Sequence, residues 1–222
     1  TTFLMLYNRK RRLKLDEAER QQMRAAGQFN ARLMDEVRAM IKPGVTTNDI
    51  DRLIHTYTHD HGHRCATLGY AGQHGPYPKS CCTSINDVIC HGIPSDYALR
   101  PGDIVNVDMT SIVNGWHGDS SETLLVEPVS DLARKVTQVA FDCLWAAIDN
   151  IKAGSRVSEI GEAICRHARK NSFSVVQEYV GHGVGRQFHQ PPTIPHDPTS
   201  SPEARRQRLE PGVCFTIEPM IN

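Results

Sequence analysis

The feature that most constrains this chain is an internal repeat with an offset of 110 residues. The segments Leu99–Asp108 and Leu209–Glu218 both begin Leu-x-Pro-Gly, keep apolar residues in register and end in a carboxylate. The same offset relates Ile41–Gly44 to Ile151–Gly154. A spacing shared over separate positions predicts two related halves, each of which ends its central strand in a carboxylate.

The first carboxylate lies on a predicted β-hairpin. Ile104–Val107 is short, β-branched and mostly apolar, which is typical of a buried strand. Asn114-Gly115 is the dipeptide that a two-residue hairpin turn prefers, so the chain should return antiparallel and bring Asp119 beside Asp108. Two facing carboxylates repel each other unless a proton or a cation lies between them. Taken alone, either aspartate is more simply interpreted as a turn or capping residue. If the two halves face each other, both aspartates converge with Glu218.

Periodicity predicts the other elements. The segments with the period of an amphipathic helix are 15–41, 46–58, 130–151 and 157–169. Residues 64–95, rich in Gly, Pro, Ser and Cys, predict strands and loops. Phe173–Val180 predicts a strand, and the proline-rich segment His189–Gln207 predicts a long surface loop. The histidines of one helix end, at 55, 59, 61 and 63, lack a defined tetrahedral spacing and predict a solvated helix end rather than a metal site.

The domain organisation follows from the repeat. Residues 1–13 have no periodicity and predict a flexible N-terminal arm. Residues 14–222 predict a single domain, with halves at about 14–128 and 129–222, because neither half has its own closed set of strands.

Composition limits the partners. The 25 Lys and Arg residues equal the 25 Asp and Glu residues, so no global field favours nucleic acid or an anionic membrane. The 7 cysteines form no even disulfide framework, which predicts reduced thiols in the cytoplasm. No apolar run approaches membrane length, and no signal-peptide pattern opens the chain. We expect a monomer.

His182 completes a donor set. It stands between two glycines after the predicted strand, where the backbone is free to turn. One buried histidine is more often a core residue than a ligand, but three carboxylates from a repeat reverse that preference. Three carboxylates and an imidazole suit Mn²⁺, Fe²⁺, Co²⁺ or Zn²⁺. Bridging carboxylates commonly hold two such ions about 3.5–4 Å apart with a water between them, which becomes a nucleophile for amide hydrolysis.

Several longer motifs carry a family resemblance. They are Pro78–Pro94 (PKSCCTSINDVICHGIP), Val107–Thr110, Gly118–Ser121, Gly181–His189 and Phe215–Met220. Over about residues 17–222 the chain resembles type I methionine aminopeptidases. The resemblance implies the α+β "pita-bread" fold, in which an antiparallel curved sheet with pseudo-two-fold symmetry is covered by two pairs of helices. It also implies a dinuclear metal centre and the removal of initiator methionine, by a metal-bridging hydroxide, from nascent chains.

The resemblance also implies residue roles. The residues that match four of the family's five metal ligands are Asp108, Asp119, His182 and Glu218. Glu218 is also the candidate general base. His91 matches the histidine that hydrogen-bonds the scissile amide, although a loop histidine bonded to backbone is an alternative. His189 matches the histidine that polarises the substrate carbonyl. The positions that line the methionine pocket are Tyr77, Cys82 and Phe188, with Tyr70 and Thr67 at its edge.

The sequence departs from the family pattern in two places. The loop Gly72–Tyr77 is longer than usual, which affects the pocket edge. The fifth metal ligand is expected beyond Asn222, so we expect this chain to be a fragment of a full enzyme.

Two rival functions remain open at this level. One is an X-Pro or other peptidase of the same fold, against which the pocket residues argue. The other is a non-catalytic protein of this fold that binds partners, against which the four candidate ligands and both histidines argue. The expected partners are nascent polypeptide N-termini near the ribosome, and the expected cofactors are two divalent ions (Co, Mn, Fe or Zn).

Overall fold

The structure is a computed structural model and describes residues 14–72 and 75–222. The elements are, in order, α1 (Glu17–Met40), α2 (Thr47–Asp60), β1 (Arg64–Cys65), β2 (Ala71–Gly72), β3 (Gly75–Pro76), β4 (Cys82–Ile85), β5 (Ile104–Val113), β6 (Trp116–Leu125), α3 (Asp131–Asn150), α4 (Ser158–Lys170), β7 (Val180–Gly183) and β8 (Gln190–Pro195). The predicted helices are confirmed to within two residues at each end. The predicted N-terminal arm lies outside the described residues.

The chain divides into two compact units. The first unit is Gln21–Arg134, and the second unit is Lys135–Asn222 together with residues 14–20. The prediction of a single domain made of two halves stays a prediction. Within the described residues, no helix offers the unbroken apolar stretch that a membrane span requires.

The repeat recurs in the backbone hydrogen bonds of each unit. In the first unit, the Gly44 amide donates to the Leu99 carbonyl at 2.8 Å. In the second unit, the Gly154 amide donates to the Leu209 carbonyl at 2.8 Å. The helix that follows each glycine buries isoleucines at equivalent positions, namely Ile50, Ile54, Ile160 and Ile164. The sequence offset therefore corresponds to the same local structure in each unit, in which the glycine between two helices is hydrogen-bonded to the leucine of the Leu-x-Pro-Gly motif.

The hairpin is the centre of the first unit. Val113 pairs with Trp116, so the turn has two residues, and Asn114 and Gly115 have φ angles of 51° and 80°. Positive φ at both positions is the type I′ requirement, which asparagine and glycine meet at low cost. The predicted hairpin is confirmed. Strands β4 and β1 pair with the other edge of β5, also antiparallel.

Helix α1 is joined to the hairpin by a buried amide. Asn30 is fully buried, and its side-chain nitrogen donates to the carbonyls of Met109 and Gly118 at 3.0 and 2.6 Å. Helix α2 begins with a capping box, in which Thr46 and Asp49 each accept a hydrogen bond from the other residue's amide. Specific polar contacts, in addition to apolar burial, therefore attach α1 to the hairpin and fix the first turn of α2.

The histidine-rich end of α2 is largely a surface feature. His59 and His61 are exposed, as predicted. The other two have partners in the first unit, because His55 Nδ1 lies 2.9 Å from Ser80 Oγ and the His63 ring meets Phe29 edge-on at 4.8 Å.

The second unit has its own apolar core. It is built from α3, α4 and the segments that follow them, with the buried residues Val139, Cys143, Ala147, Val157, Ile160, Ile164, Ala168, Ile194, Ala204 and Leu209. Strand β7 pairs antiparallel with β8, and Phe215 forms an isolated antiparallel bridge to Gly183.

Two predictions in this unit are wrong. The strand predicted at Phe173–Val180 is absent, since that stretch contributes only an isolated bridge from Val175 and the strand begins at Val180. The segment His189–Gln207 is not simply a surface loop, because β8 crosses it and Ile194 is buried. The prolines suggested a loop. Among residues 14–72 and 75–222, however, β8 pairs with β7 alone, and a strand with a free edge tolerates residues that lack a backbone amide hydrogen.

Removal of the Asn30 amide should destabilise the first unit. Asn30→Ala leaves two hairpin carbonyls without their donor and opens a cavity, so we expect the free energy of unfolding to fall by about 2–3 kcal/mol. Urea denaturation measures the change. Arg32→Ala, at an exposed position of the same helix, should cost no more than about 0.5 kcal/mol. Equal effects of the two variants would show that the Asn30 contacts contribute nothing.

Candidate active site

The two aspartates of the hairpin lie on one face, in diagonal rather than opposed positions. Asp108 pairs with Ser121, and Asp119 pairs with Thr110. Cross-strand partners point to the same face, and residues two apart on a strand share it. Diagonal neighbours on a hairpin are about 7–8 Å apart. Asp119 therefore lies on the same face as Asp108, as predicted, but two residue pairs along the hairpin from it rather than directly opposite.

Both aspartates are held by neighbours that sequence reasoning missed. The Thr110 hydroxyl donates to Asp119 Oδ1 at 2.8 Å. Asn30 binds the carbonyls of Met109 and Gly118, which directly follow and precede the two aspartates in sequence. A polar residue on the apolar face of α1 was the available signal, since a buried amide needs partners.

Cys82 lies beside Asp108, with Tyr77 next to it. Cys82 pairs with Asp108 between β4 and β5 and is buried. Burial first, and the charge of Asp108 second, raise the pKa of Cys82 to about 12. Burial also raises the pKa of Tyr77, whose hydroxyl donates to the Gly92 carbonyl at 2.9 Å. Both side chains therefore stay neutral at pH 7, and the surface that they form beside Asp108 carries no charge of its own.

The predicted edge residues are joined to Tyr77 through the backbone. The Tyr70 amide donates to the Thr67 carbonyl at 3.0 Å, and the Tyr77 amide donates to the Tyr70 carbonyl at 2.8 Å. Thr67 is buried, whereas Tyr70 is exposed. The short pair β2–β3 forms within the loop between Tyr70 and Tyr77.

His91 occupies a constrained loop. Its φ is 56°, an unfavourable region for a residue with a side chain, which persists only where the surroundings enforce it. The next residue supplies that enforcement, because the Gly92 amide donates to Ser84 Oγ at 3.1 Å and its carbonyl accepts from Thr83 at 2.8 Å. Burial lowers the pKa of His91, so the imidazole is neutral at pH 7.

In the second unit, His182 presents one ring nitrogen in a defined tautomer. His182 Nδ1 lies 3.0 Å from the Gly183 carbonyl, which can only accept, so Nδ1 carries the proton. Nε2 then faces Glu218 Oε1 at 3.5 Å. Fixing one nitrogen by a backbone carbonyl is how metal-binding histidines are oriented.

His189 and Phe188 lie against His182. The ring centroids of His182 and His189 are 4.2 Å apart, and the Phe188 ring stacks on His189 at 4.2 Å. The structure thus brings together His182, Phe188, His189 and Glu218, which are the predicted site residues of this unit.

Glu218 is held by two residues that the sequence did not suggest. The Thr216 hydroxyl donates to Glu218 Oε1 at 2.6 Å, and the Glu218 amide donates to His196 Nε2 at 3.1 Å. His196 is 1% exposed, and burial lowers its pKa to about 4. A neutral imidazole is required here, because only an unprotonated nitrogen accepts a hydrogen bond.

The glycines beside His182 serve close packing rather than the turn that the sequence suggested. A Cβ atom at Gly181 would lie 2.4 Å from the Thr216 carbonyl oxygen, and one at Gly183 would lie 2.1 Å from the Pro191 carbonyl oxygen. These separations are far below van der Waals contact. The Gly-His-Gly sequence therefore lets a neighbouring segment approach on each side of His182.

The donor chemistry of both units fits a divalent cation. The first unit offers two carboxylates on one face, and the second offers an imidazole nitrogen facing a carboxylate oxygen. Such a nitrogen and oxygen at 3.5 Å attract each other only with a proton or a cation shared between them. Among residues 14–72 and 75–222, no group of three or more His, Cys, Asp or Glu side chains is arranged as a metal cluster. The four-ligand set therefore stays a prediction.

Comparison with known proteins identifies the class. The profile of Metallopeptidase family M24 matches residues 21–222, and the chain belongs to this family. Among its curated relatives, methionine aminopeptidase A of Synechocystis sp. is 46% identical over 94% of this chain and 80% of that protein. The methionine aminopeptidase of Rickettsia prowazekii is 42% identical over 90% of this chain and 74% of that protein.

Solved structures agree with this assignment. The crystal structure of methionine aminopeptidase from Rickettsia prowazekii matches with a TM-score of 0.88 and 41% identity, covering 94% of this chain and 82% of that one. The Thermotoga maritima methionine aminopeptidase matches with a TM-score of 0.87 and 32% identity, covering 95% and 82%. An X-Pro aminopeptidase from Thermotoga maritima, at 20% identity and a TM-score of 0.76 over 95% and 55%, shares the fold alone.

These findings confirm the resemblance to methionine aminopeptidases and the pita-bread fold. They identify the chain as an enzyme, a metal-dependent aminopeptidase by family, and they imply that it uses divalent metal.

The buried His196 should make stability depend on pH. Its pKa is depressed to about 4 in the folded state from an ordinary 6.5, so the unfolded state binds more protons between these values. Stability is fully present above pH 6.5 and is lost as the pH falls towards 4. From this group alone, we expect a loss of about 2 kcal/mol between pH 7.5 and pH 5.

Urea denaturation in EDTA checks this, because a chelator removes any contribution from bound metal. His196→Gln, which has an acceptor but does not titrate, should show a pH dependence smaller by that amount. The same slope in parent and variant would contradict the burial of a neutral imidazole.

Proposed function

We propose that this chain removes N-terminal methionine from peptides and nascent polypeptides whose second residue is small. The observation that carries the proposal is the grouping of His182, His189 and Glu218 with Phe188 in one unit of a chain whose relatives are methionine aminopeptidases. The non-catalytic alternative has no use for a tautomer-defined imidazole facing a held carboxylate.

Asp108, Asp119, His182 and Glu218 would supply four of the ligands of two divalent ions. Oxygen donors with one imidazole favour Mn²⁺, Fe²⁺, Co²⁺ or Zn²⁺ over a thiolate zinc site. When bound, such ions would lower the pKa of a coordinated water towards neutrality and polarise the scissile carbonyl. The chain supports this with held ligands, since Thr110 fixes Asp119 and Thr216 fixes Glu218.

The remaining tasks fall to His91, His189 and Glu218. His91 is neutral, so it can hydrogen-bond the substrate amide without bringing a charge into the site. His189 donates to the substrate carbonyl oxygen, where negative charge develops. Glu218 takes a proton on its carboxylate and returns it to the leaving amine. A free α-amine near the carboxylates restricts cleavage to the first residue.

Selection of methionine rests on a neutral, polarisable wall. Tyr77 and Cys82 adjoin each other in the first unit, and both are protonated at pH 7. Phe188 is the proposed contact from the second unit, and Tyr70 and Thr67 are the proposed edge. An unbranched thioether suits aromatic and sulfur surroundings and loses little by entering them. A cytoplasmic location, action near the ribosome and a monomeric state remain predictions for this chain.

A peptide series tests the substrate. The enzyme with its full set of metal ligands, loaded with Mn²⁺ or Co²⁺, should release free methionine from Met-Ala and should cleave Met-Trp at least about 10-fold more slowly, because a bulky second side chain must pass His189. Amino-acid analysis of the product and kcat/KM for each peptide measure this. Preference for Leu over Met at the first position, or cleavage of X-Pro peptides alone, would contradict the proposal.

A histidine substitution tests the amide contact. His91→Ala should lower kcat about 100-fold or more, as the loss of a transition-state hydrogen bond does, with metal content unchanged. Steady-state kinetics and elemental analysis give both values. His59→Ala, at an exposed histidine of α2, should match the parent. Activity of His91→Ala within a few-fold of the parent would support the alternative of a loop histidine bonded to backbone.

A further inference from the structure

Thr216 lies between two candidate ligands of the second unit. Its hydroxyl oxygen is 3.0 Å from the His182 amide nitrogen and 2.6 Å from Glu218 Oε1. Its own amide donates to the His182 carbonyl at 2.8 Å. One residue therefore contacts both His182 and Glu218.

The direction of these hydrogen bonds is fixed by chemistry. The His182 amide can only donate, so the Thr216 oxygen accepts from it. A carboxylate oxygen accepts, and Glu218 Oε1 at 2.6 Å is much nearer than the other acceptor, the His182 carbonyl at 3.4 Å, so the single hydroxyl hydrogen goes to Glu218 Oε1. The two bonds use the hydroxyl in both of its roles, and the donation to an ionised group is the stronger of the two.

The backbone around Thr216 is set by close packing. Gly181 leaves no room for a Cβ atom against the Thr216 carbonyl oxygen, and the neighbouring Phe215 bridges to Gly183. Glu218 is fixed in turn through its amide, which donates to the buried His196. The backbone that carries Thr216 and Glu218 is therefore held by close packing and hydrogen bonds. From this position, the Thr216 hydroxyl favours one orientation of the Glu218 carboxylate.

We propose that Thr216 is a positioning residue, whose hydroxyl orients the Glu218 carboxylate towards His182 so that the pair is ready to bind a divalent cation. The inference rests on the proposed function only in assigning Glu218 and His182 to that cation. Its effect should appear in metal affinity as well as in catalysis, because residues that orient ligands typically change metal affinity 10- to 100-fold when they are lost.

The test compares three substitutions in the whole chain. Thr216→Val keeps the shape of the side chain and removes the hydroxyl, whereas Thr216→Ser keeps the hydroxyl and removes the methyl group. The control, Thr193→Val, also replaces threonine by valine, at an exposed residue that is paired with His182. Thr216 is only half-buried, so valine fits without a new polar or steric burden. Mn²⁺ titration by calorimetry and kinetics on Met-Ala at saturating Mn²⁺ are the readouts.

We expect Thr216→Val to raise the dissociation constant for Mn²⁺ 10- to 100-fold and to lower kcat by at least 10-fold, with KM within about two-fold of the parent. Thr216→Ser should stay within about three-fold in each quantity, and Thr193→Val should match the parent. If Thr216→Val fails to fold, as judged by circular dichroism, Thr216→Ala replaces it with the same expectations.

Two results would overturn the inference. One is Mn²⁺ binding by Thr216→Val within about two-fold of the parent. The other is a failure of serine to restore what valine loses, which would assign the effect to packing of the methyl group. The proposed function is judged separately on the parent chain, since an inactive parent whose Mn²⁺ affinity still depends on the Thr216 hydroxyl would contradict the substrate and support the positioning role.

Discussion

The register of β5 against β6 determines what the first unit can do. With Asp119 opposite Thr110 and Asp108 opposite both Cys82 and Ser121, two carboxylates and one proposed pocket residue share a face. A slip of one residue in β6 would turn Asp119 to the face opposite Asp108. The type I′ turn fixes that register from one end, and the Asn30 amide bonds fix it from the side of α1.

Both units hold a candidate ligand in the same way, with a threonine hydroxyl donating to a carboxylate oxygen. Thr110 serves Asp119 across the hairpin, and Thr216 serves Glu218 two residues along the chain. These threonines do not occupy equivalent positions in the repeat, so the two halves make the same kind of hydrogen bond with residues at different positions. An ionised acceptor with a neutral donor keeps its negative charge, which a cation requires, while it loses rotational freedom.

The sequence predicted those features that depend on local pattern. Helix bounds follow from the apolar period, the hairpin from Asn114-Gly115, and the family from motifs that include His91, His182 and Glu218. The roles of Asn30, Thr216 and His196 could not be predicted, because each depends on a contact with residues brought close by folding. The strand expected at Phe173–Val180 is reduced to a bridge for a related reason. In the part of the chain that the structure describes, only Ser174–Val176 of residues 173–179 pairs with another segment, Met220–Asn222, and β-branched residues favour a strand only where a partner pairs with them.

The protonated state of Cys82 has a consequence for the durability of the pocket. With a pKa of about 12, only roughly one thiol in 10⁵ is a thiolate at pH 7, and the thiolate is the form that alkylating agents and peroxide attack. Burial and the adjacent Asp108 therefore make this sulfur chemically inert as well as apolar. In its proposed role in the methionine pocket, Cys82 would offer the substrate thioether a soft sulfur surface without the oxidative damage that an exposed, ionisable cysteine suffers.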